Sequence, residues 1–363
     1  MKQSNKESKP LKVVNSYNEW DLLEEVIVGV IDGAMVPPWH VTLEATMPEK
    51  QWDFYRQNGG KPFPKERIEA AKRELDEFVH ILEAEGVTVR RPEVREYSKP
   101  YSTPNWESQC GLYAAMPRDV IFVAGDEIIE APMSWRSRHL EINGYRPLLK
   151  EYFHKGARWT SVPRPELSDE LYNYNYKEPN GNGHINFVIN EFEPTFDAAD
   201  FIKCGKDIFY QKSHVTNNFG IDWLIRHLGD TFRFHEVKAN DKSPMHIDAT
   251  FMPLAPGKIL VNPERILSLP DMFESWDVIY APQPCMSEDH MLYMTSRWIN
   301  MNLLMLDHQR VIVEKHEHAM INELKKFGLK PIPCQFQDFN SFGGSFHCAT
   351  IDIRRRGELQ SYF

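Results

Sequence analysis

The feature of this 363-residue chain that most limits its fold is a recurring unit: an amphipathic helix, a glycine, then a short extended segment. In PKERIEAAKRELDEFVHILEAEGVTVRRP, Ile68, Ala71, Leu75, Phe78, Val79 and Leu82 fall at helical spacing, and Gly86 stands where a helix ends. RPLLKEYFHKGARWTSVP stops at Gly156, GIDWLIRHLGDTFRFHEV at Gly229 and AMINELKKFGLKPIPCQ at Gly328. A weaker copy, LPDMFESWDVIYAP, has no glycine and breaks near Trp276. Between the copies lie apolar stretches split by turns, at 119–131, 252–262 and 302–314, which read as hairpins. The unit is strand, strand, helix, strand. Five such units predict an α/β fold, a closed pseudo-symmetric array in a single domain over 13–363 behind a polar tail at 1–12. Unequal intervals between the breaks keep two unrelated α/β domains as the alternative.

Charge and cysteine usage narrow the partners. Lys and Arg number 42 against 52 Asp and Glu, a net charge of −10, which disfavours broad binding to nucleic acid or an anionic membrane. The five cysteines (Cys110, Cys204, Cys285, Cys334, Cys348) are scattered, form no CxxC pair and suit reduced thiols in the cytoplasm. The opening MKQSNKESKP has no apolar core for a signal peptide. The apolar run Val26 to Ile31 is far short of the roughly 20 residues that span a membrane. A cytoplasmic protein without membrane partners is expected.

Three segments could carry chemistry. His246-Ile247-Asp248, in SPMHIDATF, reads as strand, which would set imidazole and carboxylate on one face. Asp197 and Asp200 flank two alanines in an apolar run, so each needs a cationic or hydrogen-bonding partner if buried; a helix N-cap is the plainer reading of Asp200. Gly343-Gly344-Ser345 form a turn leading into His347-Cys348, which places this one cysteine, as a nucleophile requires, where a base and a substrate can both reach it. His246, Asp248, Asp197 and His347 offer an N/O ligand set for a divalent ion, but no HExxH or other familiar ligand spacing supports it, and no metal is expected. The polar loop 172–186 is either a cover for a site or, the plainer reading, a solvated excursion, and Arg354-Arg355-Arg356 reads as a solvated or salt-bridged strand end rather than an anion site.

Taken together and in order, VNSYNEWDLLEEVIVG, MPRDVIFVAGDEIIEAPM, FEPTFDAADF, PMHIDATF, GGSFHC and RRRGELQSYF resemble the glycine and inosamine-phosphate amidinotransferases. The resemblance runs through nearly the whole chain. It implies a five-bladed α/β propeller of ββαβ modules, no cofactor, a homodimer, and small-molecule substrates: L-arginine as donor and a primary amine as acceptor. It implies Cys348 as nucleophile, His246 as general acid/base and Asp197 as the carboxylate that orients His246. It implies Asp119 and Asp248 as the grip on the guanidinium, and Arg265, Thr295 and Ser296 as contacts to the donor carboxylate. Ser243 and Met245 are counted with the substrate-binding residues. Thr295 departs from the family by standing in for a serine, and Ser243 by replacing the Asn of the vertebrate glycine enzymes, beside the acceptor. The alternatives are a guanidine hydrolase of the same superfamily, with water in place of the amine, and a binding protein that has lost turnover.

Overall fold

The computed structural model describes residues 12–177, 185–266 and 268–363. Of the expected tail only Lys12 is among them, and the centre of the 172–186 loop lies outside them. Among the described residues the strands form five three-stranded mixed sheets and one two-stranded sheet. Each three-stranded sheet has one antiparallel and one parallel pairing about a central strand.

In three sheets the antiparallel pair is a tight hairpin: Ile121–Ala124 with Glu127–Glu130, Phe201–Cys204 with Asp207–Tyr210, and Phe251–Ala255 with Lys258–Val261. In the fourth, Leu304–Met305 pairs with Arg310–Glu314. A parallel third strand needs a crossover. The helices Arg146–His154, Asn218–Leu228 and His318–Lys326 supply it for Arg158–Ser161, Arg233–Glu236 and Lys330–Cys334. The fold is α/β with small mixed sheets.

Glycine ends the helices for a backbone reason at most of the expected sites. Gly86, Gly156 and Gly328 have φ of +86°, +100° and +80°, which other residues rarely adopt. Gly229 differs: its φ is −62°, and the helix Asn218–Leu228 ends there in an ordinary right-handed conformation. The weak fourth copy also differs. Instead of a helix, LPDMFESW forms one 3₁₀ turn, Asp271–Phe273, before the parallel strand Asp277–Tyr280. Pro270 sets its start, and the chain leaves the turn after Glu274 to enter the strand.

The fifth sheet joins the two ends of the sequence. Leu22–Val28 is its central strand, antiparallel to Thr350–Arg356 and parallel to Thr88–Arg90, which follows the helix Lys65–Ala84. That helix buries Ala71, Leu75, Phe78 and Leu82, as its spacing requires. The three arginines fasten the pairing. Arg354 bonds Glu24 and Glu25, both at 2.9 Å, and Arg356 bonds Glu24 at 2.6 Å. Arg355 is 1% exposed; it bonds Asp352 at 2.8 Å and the carbonyls of Asp21 and Met305 at 2.6 and 2.9 Å. Removing one partner of a buried pair strands the other charge, at a cost of about 3–5 kcal/mol. Arg355→Ala is therefore expected to lose about that much stability in urea unfolding, while Arg356→Ala, at the exposed strand end, loses under about 1 kcal/mol.

Candidate active site

The first strand of each sheet is buried or nearly so, and a turn carrying a polar residue precedes it. Pro117–Val120 holds Asp119 before Ile121–Ala124. Asp197 opens the 3₁₀ turn Ala198–Asp200 before Phe201–Cys204. His246 opens Ile247–Ala249, which carries Asp248, before Phe251–Ala255. Asn302 follows Arg297–Met301 and precedes Leu304–Met305. Cys348 lies in the turn before Thr350–Arg356.

The local geometry corrects two sequence readings. His246-Ile247-Asp248 is not strand: His246 has φ +62° and ψ 123°, and the strand starts only at Phe251. A non-glycine residue in that region is strained, and such strain collects at functional sites. The two side chains meet the same centre because the backbone turns between them. Asp200 is not an N-cap. Its carboxylate accepts from Ser213 Oγ at 2.6 Å, Thr216 Oγ1 at 2.5 Å and Gln211 Nε2 at 3.1 Å. The glycine turn before Cys348 is also tighter than flexible spacing implies. A Cβ on Gly344 would stand 2.4 Å from the Cys348 Cβ and 2.7 Å from the Met116 sulfur, so only glycine fits.

His246 lies between acids. Its Nε2 is 3.0 Å from Asp197 Oδ2, and its Nδ1 is 3.7 Å from Asp119 Oδ1. Reactive atoms of Asp119, His246 and Cys348 all fall within 4.8 Å of one another. Burial alone would lower the His246 pKa, but Asp119, Asp197 and the contact with Cys348 outweigh it and hold the imidazole well above its usual value. Arg138, which sequence reasoning missed, holds both acids from behind. It is 2.9 Å from Asp119 Oδ2 and 3.4 Å from Asp197 Oδ2, and Glu141 grips it at 2.7 and 2.8 Å.

Asp248 is held separately. Its Oδ2 accepts from His347 Nδ1 at 2.7 Å and Asn302 Nδ2 at 2.6 Å, with Cys348 Sγ at 3.4 Å. Burial raises its pKa, yet the His347 hydrogen bond and charge bring it below the usual value. Both ring nitrogens of His347 are engaged, the second by Glu19 Oε2 at 3.2 Å. His347 is thus committed to these two acids, and His246 to Asp197.

The thiol of Cys348 lies buried beside Asp248 and His246. Burial first, then the Asp248 carboxylate, push its pKa up to about 12, while the contact with His246 acts against them. The other buried cysteines, Cys110, Cys204 and Cys334, are also pushed up, by burial.

Cys348, His246 and Asp248 open onto a cavity of about 320 Å³. Arg265, Thr295, Ser296, Ser243 and Met245 line it too, so eight of the ten expected site residues share one space. Asp119 and Asp197 stand behind His246 instead of on the wall. Arg265 bonds Asp241 at 3.1 Å and Thr250 Oγ1 at 3.2 Å, which fixes its guanidinium at the cavity. Glu44 and Glu49 also line the cavity, and their carboxylates have no hydrogen-bond or ion-pair partner among the described residues.

The thiol's pKa makes a direct prediction. Thiolate is the alkylating form, so in the ligand-free protein iodoacetamide modification of Cys348, followed by peptide mass spectrometry, is expected to rise about tenfold per pH unit from 7 to 10. Levelling off between pH 9 and 10 would show an ordinary thiol.

No protein-family model matches the chain. It is 60% identical over 349 residues to an L-arginine:L-lysine amidinotransferase of Pseudomonas savastanoi pv. phaseolicola, covering 96% of both chains. It is 49% identical over 358 residues to the mitochondrial glycine amidinotransferase of Danio rerio, covering 96% of this chain and 85% of that one. A solved structure, an amidinotransferase from Microseira wollei in the saxitoxin biosynthetic pathway, matches with a TM-score of 0.90 at 53% identity, over 96% of this chain and 99% of that one. With identity this high over nearly the whole length, the chain belongs to the amidinotransferase family.

Proposed function

We propose that the protein moves the amidino group of L-arginine to a primary amine through an amidino-cysteine on Cys348, releasing L-ornithine. The observation that carries this reading is the division of charge in one cavity. The thiol, His246 and Asp248 stand together, and Arg265 with Thr295 and Ser296 lines the same space. Arginine needs both: acids for its guanidinium and a cation for its carboxylate. Asp248, with Asp119 behind, orients the guanidinium carbon against the sulfur. Five sheets of like topology support closure of the modules into a pseudo-five-fold ring, residues 13–363 acting as one domain.

The electrostatics of the site fit this chemistry. The incoming guanidinium brings positive charge beside Asp248 and Asp119, the two acids that raise the thiol's pKa, and so favours thiolate. The thiol passes its proton to His246 as the Sγ–C bond forms, and His246 gives that proton to the departing amine as the Cζ–Nε bond of arginine breaks, so the imidazole ends as it began. An acceptor amine then runs the steps in reverse, with its own nitrogen bonded to the amidino carbon. Ser243 and Met245 would border the acceptor.

Glu44 and Glu49, without a partner among the described residues, support an acceptor with a second positive charge over a phosphorylated one, since a phosphate beside them would be repelled. The name of the 60%-identical relative points to lysine as an acceptor of this kind.

Purified protein given arginine and lysine is expected to form ornithine and guanidinated lysine in equal amounts, with little ornithine when amine is withheld. Citrulline formed at full rate without amine would establish the hydrolase instead. Cys348→Ala is expected to fold with unchanged circular dichroism and to lose activity by roughly a thousandfold or more. Glu44→Lys is expected to lower kcat/KM for lysine by about tenfold and to favour glycine, an outcome read from acceptor competition.

A further inference from the structure

Asn302 occupies in its sheet the place that Asp119, Asp197, Asp248 and Cys348 occupy in theirs, just before a first strand. Its side chain is 1% exposed overall yet lines the catalytic cavity. Its Oδ1 accepts from the backbone N–H of Ser345 and of Cys348, both at 3.0 Å. Those two donors fix which way the amide points, because only oxygen can accept from them. The NH₂ end is then committed to the other side, where Nδ2 lies 3.1 Å from Cys348 Sγ and 2.6 Å from Asp248 Oδ2.

We infer that Asn302 is a catalytic residue, a neutral donor that stabilises the Cys348 thiolate as it forms before attack and as it is released after transfer. The inference rests on Cys348 being the nucleophile. Among the charged groups that face the sulfur, Asp248 and Asp119 oppose negative charge there and His246 favours it. His246 cannot act alone on the sulfur, because it also serves the departing amine. An amide N–H carries no proton that the reaction consumes, so it favours the thiolate through both half-reactions. It is fixed in place before the charge develops, which is where donors of this kind act most strongly. The same N–H group ties the sulfur to Asp248, so nucleophile and guanidinium-binding acid keep one spacing.

The donor role separates from the turn-clamping role by comparing two variants. Asn302→Ala removes both. Asn302→Asp keeps an oxygen for the Ser345 and Cys348 amides and removes the N–H facing the sulfur. Both variants are expected to alkylate at Cys348 about tenfold more slowly than wild type at pH 9, with kcat for transfer down about a hundredfold and KM for arginine changed less than threefold. Thermal unfolding and circular dichroism report whether each is folded, and Asn302→Asp carries the test if the alanine variant is not. Wild-type alkylation and kcat in Asn302→Asp would overturn the inference and leave Asn302 as a clamp on the turn. Loss confined to KM would overturn it as well. Failure of the underlying reading looks different: Cys348→Ala would still transfer, whatever the Asn302 variants did.

Discussion

The catalytic centre depends on the compensation of buried carboxylates by buried cations. Asp119, Asp197 and Asp248 are each at most 2% exposed, and Glu141 and Glu19 behind them are 1% exposed. An unpaired carboxylate in such surroundings costs several kcal/mol. Arg138 takes Asp119, Asp197 and Glu141, while His347 stands between Asp248 and Glu19. Lys203 and Arg118 in turn hold Glu19 well below the usual carboxylate range against the opposing effect of burial. Surface pairs such as Lys65 with Glu69 lie in water and contribute little by comparison. The inner pairs decide whether this centre exists at all, because each acid presented toward the thiol has its charge fixed from behind.

The repeated module explains how residues so far apart in sequence converge. A buried first strand must have its backbone groups bonded within its sheet, so the turn that leads into it is held rigidly. Five such turns bring Asp119, Asp197, His246 with Asp248, Asn302 and Cys348 together, each on an element locked by its own sheet. Precision at a reactive centre is better served by such supports than by long loops. Glu44 and Glu49, on the segment after Leu22–Val28, line the cavity without belonging to these turns.

Much of this was legible in the sequence. Helical spacing and glycine stops marked the crossovers, and turn-split apolar runs marked the hairpins, because both signals are local. The fourth crossover misled, since a few apolar residues near Trp276 satisfy a helix pattern that Pro270 cuts to one turn. His246 misled for the opposite reason: β-branched and aromatic neighbours suggest strand, and nothing local announces a left-handed residue. The acids at 197 and 200 announced their need for partners, but not the partners themselves. Arg138 is a distant arginine in an unremarkable stretch, and Ser213, Thr216 and Gln211 are hydroxyl and amide groups that any loop could contain. Asn302 was overlooked because a lone asparagine carries no motif; only its place before a first strand, visible once the sheets are aligned, singles it out. The thiol's resting state was also out of reach, since burial and neighbouring charge are properties of the folded chain.

The pairing of Leu22–Val28 with Thr350–Arg356 has a consequence for how the protein comes into being. Synthesis runs from the amino end and domains begin to fold as they emerge. Four sheets can form from contiguous stretches as each appears. The sheet built on Leu22–Val28 stays one strand short, its central strand exposing an open edge, until residues beyond 350 have left the ribosome. His347 and Cys348 arrive just ahead of that missing strand. A nascent chain therefore lacks both the thiol of the candidate site and the imidazole that stands between Asp248 and Glu19, and the site is complete only once Thr350–Arg356 has paired with Leu22–Val28.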